Sequence, residues 1–149
     1  MNQESTSATR AALTHTDPLS FSSLFPATRH GAHTARHDAE KWLAERLRPE
    51  ERDGDDLAAT ASLLAAELTA NAVLHGRVRG RAARLVVTLD ATAVRVEVTD
   101  ARGERLPAKS PSEDGESGRG LLLVEALADD WGVRPHPPGG KTVWAALRR

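Results

Sequence analysis

Glu67 and Asn71 are two polar residues four positions apart in the segment ELTANAVLHG (67–76), within a run that is otherwise mostly apolar. On an α-helix such a pair lies on one face, one turn apart, so both side chains would point to the same place. A carboxylate among leucines costs several kcal/mol unless it is paired, solvated in a pocket or beside a metal. Two interpretations follow: both residues reach water at a helix edge, or they line a pocket. In a pocket, Glu67 would act as general base and the Asn71 amide oxygen would coordinate Mg²⁺.

Asp100 is a second candidate, because it follows the alternating segment VRVEVT (94–99) in phase with its valines. By the two-residue period of a strand, its carboxylate would point to the helix-covered face of the sheet. A buried aspartate needs a donor, which the exocyclic amine of adenine could supply. The alternative is that Asp100 only opens the turn DARG (100–103), a common role for aspartate.

Two glycines, Gly118 and Gly120, flank Arg119 at the start of the helical segment RGLLLVEALADD (119–130). The amides at a helix N-terminus bind phosphate, so the backbone from Gly118 to Leu121 could hold a phosphate chain, with charge added by Arg119. An ordinary glycine-rich entry to a helix explains the same pattern.

Thr142 begins the last strand, in GGKTVWAAL (139–147). Its hydroxyl could reach the base that Asp100 would hold, although threonine in a strand is often only a good β-former. A metal site at His30, His33 and His37 is the less favoured interpretation. These histidines are predicted to be solvated residues around the start of the first helix.

The elements that must position these residues follow from hydrophobic periodicity. Helical spacing predicts helices at three places, and alternation predicts five strands around them. The predicted helices are 32–47, 55–75 and 119–130, and the predicted strands are 19–26, two strands within 84–100 joined by a turn at 90–93, 131–136 and 141–149. This order predicts an α+β, two-layer α/β sandwich with a mixed, mainly antiparallel sheet and helices on one face. Residues 1–17 are predicted to be a disordered tail and 18–149 a single domain.

Composition excludes several classes of function. The 149 residues contain 20 Lys and Arg against 21 Asp and Glu, a net charge of −1, which gives no electrostatic case for direct nucleic-acid binding. The absence of cysteine excludes disulfides and thiolate catalysis. The N-terminus lacks the apolar run of a signal peptide, and no stretch was expected to approach about 20 apolar residues. A cytoplasmic protein without membrane contact is the expectation.

In their order, these segments resemble the motifs of the GHKL, or Bergerat-fold, ATPases. ELTANAVLH (67–75) is similar to the N box of that superfamily, and VEVTDARG (96–103) to its first glycine box. GRGLLLVEALAD (118–129) is similar to the second glycine box, and GGKTVWAAL to the closing threonine strand. The resemblance covers about residues 19 to 147 and implies a histidine kinase-like ATP-binding domain.

Among the branches of this superfamily, the chain most resembles the stand-alone anti-sigma-factor serine kinases of bacterial partner-switching systems. The phrase GRGLLLVEALADDWGV (118–133) carries that likeness, together with a short lid. The resemblance implies a homodimeric serine/threonine kinase that binds a sigma factor and transfers the γ-phosphate of ATP to a serine of an anti-sigma-factor antagonist.

Carried over to this chain, the resemblance implies a role for each motif residue. It makes Glu67 the general base, Asn71 the Mg²⁺ ligand and Asp100 the contact to the adenine amine. The remaining implied ATP contacts are Gly103, Gly118, Arg119, Gly120, Leu121 and Thr142, with residues 104–117 as the ATP lid.

The first glycine box departs from the pattern of the superfamily at one position. Arg102 stands two residues after the aspartate, where the superfamily usually has glycine, and Gly103 follows it. Glycine allows close approach to the adenine ring. This departure favours an alternative: a non-catalytic Bergerat-fold module that sequesters a sigma factor or another regulator. Intact Glu67 and Asn71 favour the enzyme.

Overall fold

The computed structural model describes residues 18–47, 54–102 and 119–149. The predicted tail (1–17), most of the polar loop that includes the predicted lid (104–117), and the two glycines Gly103 and Gly118 lie outside the described residues. Five strands and three helices lie within the described ranges. They are β1 (Leu19–Pro26), α1 (Arg29–Arg46), α2 (Gly54–His75), β2 (Ala82–Leu89), β3 (Ala93–Asp100), α3 (Arg119–Leu127), β4 (Asp130–His136) and β5 (Gly140–Arg148).

The sheet has the strand order β1-β2-β3-β5-β4, and all four pairings between these strands are antiparallel. The predicted two-layer α+β sandwich is confirmed, but the expected parallel component is wrong for the described strands. The reason is that the chain returns from α3 at the edge of the sheet as β4. The following hairpin then brings β5 back between β4 and β3, antiparallel to both.

The core lies between one face of the sheet and the helices. Val94, Val96 and Val98 are buried on that face, and their partners across β2 and β5 are also apolar. The helices contribute small and branched side chains to the same core. These buried residues include Ala35, Ala39, Leu43, Ala61, Leu64, Leu68 and Ala72. Burying each of the larger side chains is worth roughly 1.5–3 kcal/mol, so the alternation of β3 fixes which way its remaining residues point.

The helix boundaries have local causes. Helix α1 begins at Arg29, three residues before the predicted Ala32, because the Thr28 side chain caps it by accepting a hydrogen bond from Gly31 N at 3.0 Å. Helix α3 ends at Leu127, earlier than predicted, because Asp129 N already donates to Ala146 O of β5 at 2.9 Å. From Asp129 onward the backbone is therefore hydrogen-bonded to the sheet and no longer to the helix.

Helix α2 begins at Gly54, one residue before the predicted start. From Leu57 to His75 it is long and apolar enough to cross a membrane, by length and composition alone. Polar residues such as Glu67 and Asn71 interrupt this span, so it contains no run of about 20 apolar residues. In the structure its stripe of Ala61, Leu64 and Leu68 is fully buried in the domain core. A core helix accounts for this composition.

Candidate functional site

The pair on α2 lies at the boundary of the core. Asn71 is only 7% exposed, and Glu67, one turn earlier, is half-buried. Burial raises the pKa of the Glu67 carboxyl above its ordinary value. Among the residues that the structure describes, no hydrogen bond or ion pair is seen for this carboxylate. Asn71 is therefore not a solvent-exposed residue, whereas Glu67 keeps part of its surface in water.

This geometry is suited to acid–base chemistry. A carboxylate with a raised pKa is a better proton acceptor than an ordinary glutamate near neutral pH. The Asn71 amide oxygen offers an uncharged acceptor one turn away. Helix α2 therefore presents a base and a hard oxygen donor side by side.

Asp100 is buried on the helix-covered face, as its phase with the valines predicts; it is 6% exposed. Among the described residues its side-chain donor is Lys141, which is 2% exposed. The Lys141 ammonium lies 2.9 Å from Oδ2 and 3.1 Å from Oδ1 of Asp100. It also donates to the Arg102 carbonyl at 2.8 Å, while Arg102 N donates to Asp100 Oδ1 at 2.8 Å. Asp100 thus both caps the turn and forms a buried ion pair.

Gly76 connects these two parts of the site. A Cβ added at this glycine would overlap the Asp100 carboxylate, so only glycine allows the end of α2 to pass so close. Gly76 also closes the helix, because its N–H donates to Ala72 O at 2.9 Å. At 1.5 Å rise per residue, Asn71 lies about 7.5 Å further back along the helix axis. The contact therefore places the C-terminal end of α2 against Asp100, with Glu67 about 13.5 Å back along the helix axis.

Thr142 does not lie beside the Asp100 carboxylate, and that placement from the sequence is wrong. In the register of β3 and β5, Thr142 pairs with Thr99 and Lys141 pairs with Asp100. Opposite residues share a face, so the Thr142 hydroxyl lies on the other side of the sheet, 2.7 Å from the Thr99 hydroxyl. The residue beside Asp100 is Lys141.

Sequence reasoning missed Lys141 and the contact made by Gly76, although a signal for Lys141 was present. Val143 and Ala145 are buried in phase with Lys141, so the alternation of GGKTVWAAL places the lysine on the core face. For Gly76 no local signal exists, because its closeness to Asp100 depends on a contact 24 positions away in the chain.

The predicted phosphate segment is described in part. Helix α3 begins at Arg119, as expected, and Gly120 lies in its first turn. Leu121 is 2% exposed and packs in the core, so only its backbone is left for a ligand. Arg102, in the position where glycine was expected, places its backbone between Asp100 and Lys141.

No cluster of three or more potential metal-ligating side chains is found within the described ranges. The His33 and His37 rings contact each other edge to face at 4.3 Å, and His37 Nδ1 lies 3.8 Å from Glu40. A cavity of about 210 Å³ borders Asp100 and Thr99 from the side of the Pro137–Pro138 turn. The predicted ATP lid (104–117) lies outside the described residues.

Comparisons with known proteins agree with this architecture. A chain in the crystal structure of the SiaB-SiaC complex from Pseudomonas aeruginosa is similar over 99% of this chain and 99% of that one, with a TM-score of 0.63 and 16% identity. At that identity the likeness concerns the fold. The search of curated proteins gave no match. The family model of the histidine kinase-like ATPase domain matches residues 25–147, which include Glu67, Asn71 and Asp100. The chain therefore belongs to the histidine kinase-like ATPase domain family.

Proposed function

We propose that this protein is an ATP-binding regulator that acts as a serine/threonine kinase, transferring the γ-phosphate of ATP to a serine of an anti-sigma-factor antagonist. The observation that carries the proposal is on α2: a half-buried Glu67 with a raised pKa beside a buried Asn71. Burying a carboxylate without a partner is costly, so a function explains Glu67 at this position better than packing does. Because the chain belongs to an ATPase domain family, we take ATP as the nucleotide that it binds.

In this mechanism Glu67 accepts the proton of the attacking serine hydroxyl. Phosphoryl transfer depends mainly on positioning and charge neutralisation, so a correctly placed base and a held nucleotide are the main requirements. Mg²⁺ usually takes one or two protein oxygens and completes its shell with phosphates and water. Asn71 as the single ligand from this chain fits that pattern, and the ion would neutralise charge on the phosphates.

Asp100 serves the nucleobase in this mechanism. Its carboxylate pairs with Lys141, and a carboxylate has about four acceptor sites, which leaves capacity for an adenine amine. The backbone of Gly103 and of Gly118 to Leu121, with the Arg119 side chain, would contact the phosphates, as the amides at the N-terminus of α3 favour. Residues 104–117 would close over the nucleotide.

The partners in this proposal are a sigma factor and an anti-sigma-factor antagonist protein, with the kinase acting as a cytoplasmic homodimer. The similar structure from Pseudomonas aeruginosa comes from a complex of two proteins, SiaB and SiaC. A fold of this size that works through a protein partner is consistent with a regulatory kinase.

A second candidate is a binding module without catalysis, which sequesters a sigma factor or another regulator. Two observations favour it. Arg102 replaces a glycine of the first glycine box, and the Asp100 carboxylate already has Lys141 and Arg102 N as donors.

One experiment separates the two candidates. Calorimetric titration with ATP and with GTP, each with and without Mg²⁺, is followed by transfer from radiolabelled ATP to candidate antagonist proteins. The kinase predicts a preference for ATP, tighter binding with Mg²⁺ and label on a serine of one antagonist. Binding of a sigma factor by a protein that transfers no label to any antagonist would favour the sequestering module.

A further inference from the structure

A groove runs between the first two helices, on a side of α2 that does not include Glu67 or Asn71. We call it the α1–α2 groove; its volume is about 440 Å³. Its lining consists of Arg29, Ala32, His33 and Arg36 from α1, and Ala66, Thr69, Ala70, Val73 and Leu74 from α2. From these contacts we propose that the groove is a docking site for an acidic, amphipathic helix of a protein partner.

One wall of the groove is basic. Arg29, His33 and Arg36 are spaced at i, i+4 and i+7, so they form a single stripe along α1. The lining residues include no acidic side chain. Glu40 continues the stripe beyond the groove and lies 3.8 Å from His37. The groove is thus locally cationic in a protein whose net charge is −1, so it selects for an acidic occupant.

Arg36 provides a second observation that points to a ligand. Its Nε atom is buried without a hydrogen-bond partner within the described part of the chain. Its Nη2 lies 3.2 Å from His33 Nδ1, which is a weak substitute for a carboxylate. A buried guanidinium donor that stays unpaired is unfavourable. A carboxylate entering the groove would pair with Nη2, on the exposed side of the guanidinium, in the charge-assisted geometry that arginine favours.

The other wall of the groove is apolar. Ala66, Ala70 and Val73 follow helical spacing on α2, and Leu74 is 48% exposed at the rim. Small side chains at this spacing leave room for larger apolar side chains of a partner. A groove between two helices, apolar on one wall and basic on the other, suits a helix that carries leucines on one face and acidic residues beside them.

The test uses a defined probe, a fluorescein-labelled helical peptide of about 14 residues, roughly four turns, with leucine on one face and glutamate flanking it. Fluorescence anisotropy with the full chain measures its affinity. Arg36→Glu is expected to weaken binding by about tenfold or more, because it replaces the pairing charge with a repelling one. Ala70→Asp, on an exposed position of the opposite wall, is expected to weaken it in the same direction.

Three controls make the result specific. Arg84→Glu, an exposed arginine on the far face of the sheet, is expected to leave the affinity unchanged. A twin peptide with lysine in place of glutamate is expected to bind at least tenfold more weakly. Thermal melting shows that each variant is folded, and ATP affinity is expected to stay the same in all of them, which separates this site from the nucleotide site.

Several results would overturn the proposal. The first is equal peptide affinity of the wild-type protein and Arg36→Glu, and the second is equal affinity for the glutamate peptide and its lysine twin. The third is that the acidic peptide does not bind, while duplex DNA or anionic vesicles bind to the wild type and not to Arg36→Glu. A change in sedimentation from dimer to monomer on Arg36→Glu, without any peptide, would assign the groove to a second copy of this chain instead.

Discussion

Glu67 and Glu97 are both half-buried glutamates, but the folded protein shifts their pKa values in opposite directions. Burial raises the pKa of Glu67, and no partner in the described part of the chain offsets that effect. Burial also pushes the pKa of Glu97 upward, but hydrogen bonds and charge from Arg134 and Arg95 outweigh it, so the pKa is lowered. The difference separates Glu97, whose ionised carboxylate is stabilised by two arginines, from Glu67, whose carboxylate has no such partner among the described residues.

Glu97 belongs to a network on the open face of the sheet. Arg134 Nη2 lies 2.7 Å and Arg95 Nε 3.0 Å from Glu97 Oε1. The Arg95 guanidinium also stacks over Trp144, 4.2 Å from the ring centroid. Arg95 lies on the same strand as Glu97, and Trp144 lies on the neighbouring strand β5. Arg134 reaches Glu97 from β4, across β5. A carboxylate held in this way is positioned and stabilised, and it is a poor proton acceptor.

The first prediction tests the comparison by catalysis and has the largest expected effect. Glu67→Gln is expected to keep ATP binding and to lower phosphoryl transfer by about 10²- to 10⁴-fold, because the general base is lost. Glu97→Gln is the matched control and is expected to leave the transfer rate within about twofold. Single-turnover transfer to the cognate antagonist measures both. Equal rates for the wild type and Glu67→Gln would remove Glu67 from the chemistry.

The second prediction extends the comparison to Asp100, whose single side-chain partner in the described residues is Lys141. Lys141→Met leaves a buried, uncompensated carboxylate, so the free energy of unfolding is expected to fall by about 3–5 kcal/mol. Lys41→Met, at an exposed position of α1, is the matched control with an expected change within about 0.5 kcal/mol.

The double variant Asp100→Asn with Lys141→Met decides whether the ion pair is the cause. Removing both charges is expected to recover much of the loss in a urea-unfolding measurement. A double variant as unstable as Lys141→Met alone would mean that the lysine stabilises the domain through packing of its aliphatic chain.

Individual residues show which features of the site could be predicted from the sequence and which could not. Helix spacing placed Glu67 and Asn71 correctly one turn apart, and alternation placed Asp100 on the core face, because both depend on local periodicity. The position of Thr142 depended on the register between β3 and β5, whose partners are about 40 positions apart in the chain. A shift of one residue moves a side chain to the other face of the sheet.

The networks could not be predicted for the same reason. Glu97 and Arg134 come together only because β4 pairs with β5, and β5 with β3. The contact between Gly76 and Asp100 likewise requires the packing of α2 on the sheet. Local patterns predict which face a residue occupies, whereas its partners follow from the topology.

The third prediction has the smallest effect and compares the two glutamates by pH. For Glu97, whose pKa is lowered on folding, the ionised form stabilises the native state above the ordinary value of 4.5, and this stabilisation is lost as pH falls through that value and below it. Glu97→Gln is therefore expected to cost about 1 kcal/mol near pH 7, and less in acid.

For Glu67 the sign is reversed. Its pKa is raised on folding, so the native state binds more protons than the unfolded chain as pH rises through 4.5 and above, and stability falls over that window. Removing the charge with Glu67→Gln is expected to stabilise the protein by roughly a few tenths of a kcal/mol near pH 7 and to change nothing in acid. Urea unfolding of both variants at about pH 7 and about pH 3.5 measures the two slopes. Slopes of the same sign would mean that Glu67 gains a partner on folding, which would end its distinction from Glu97.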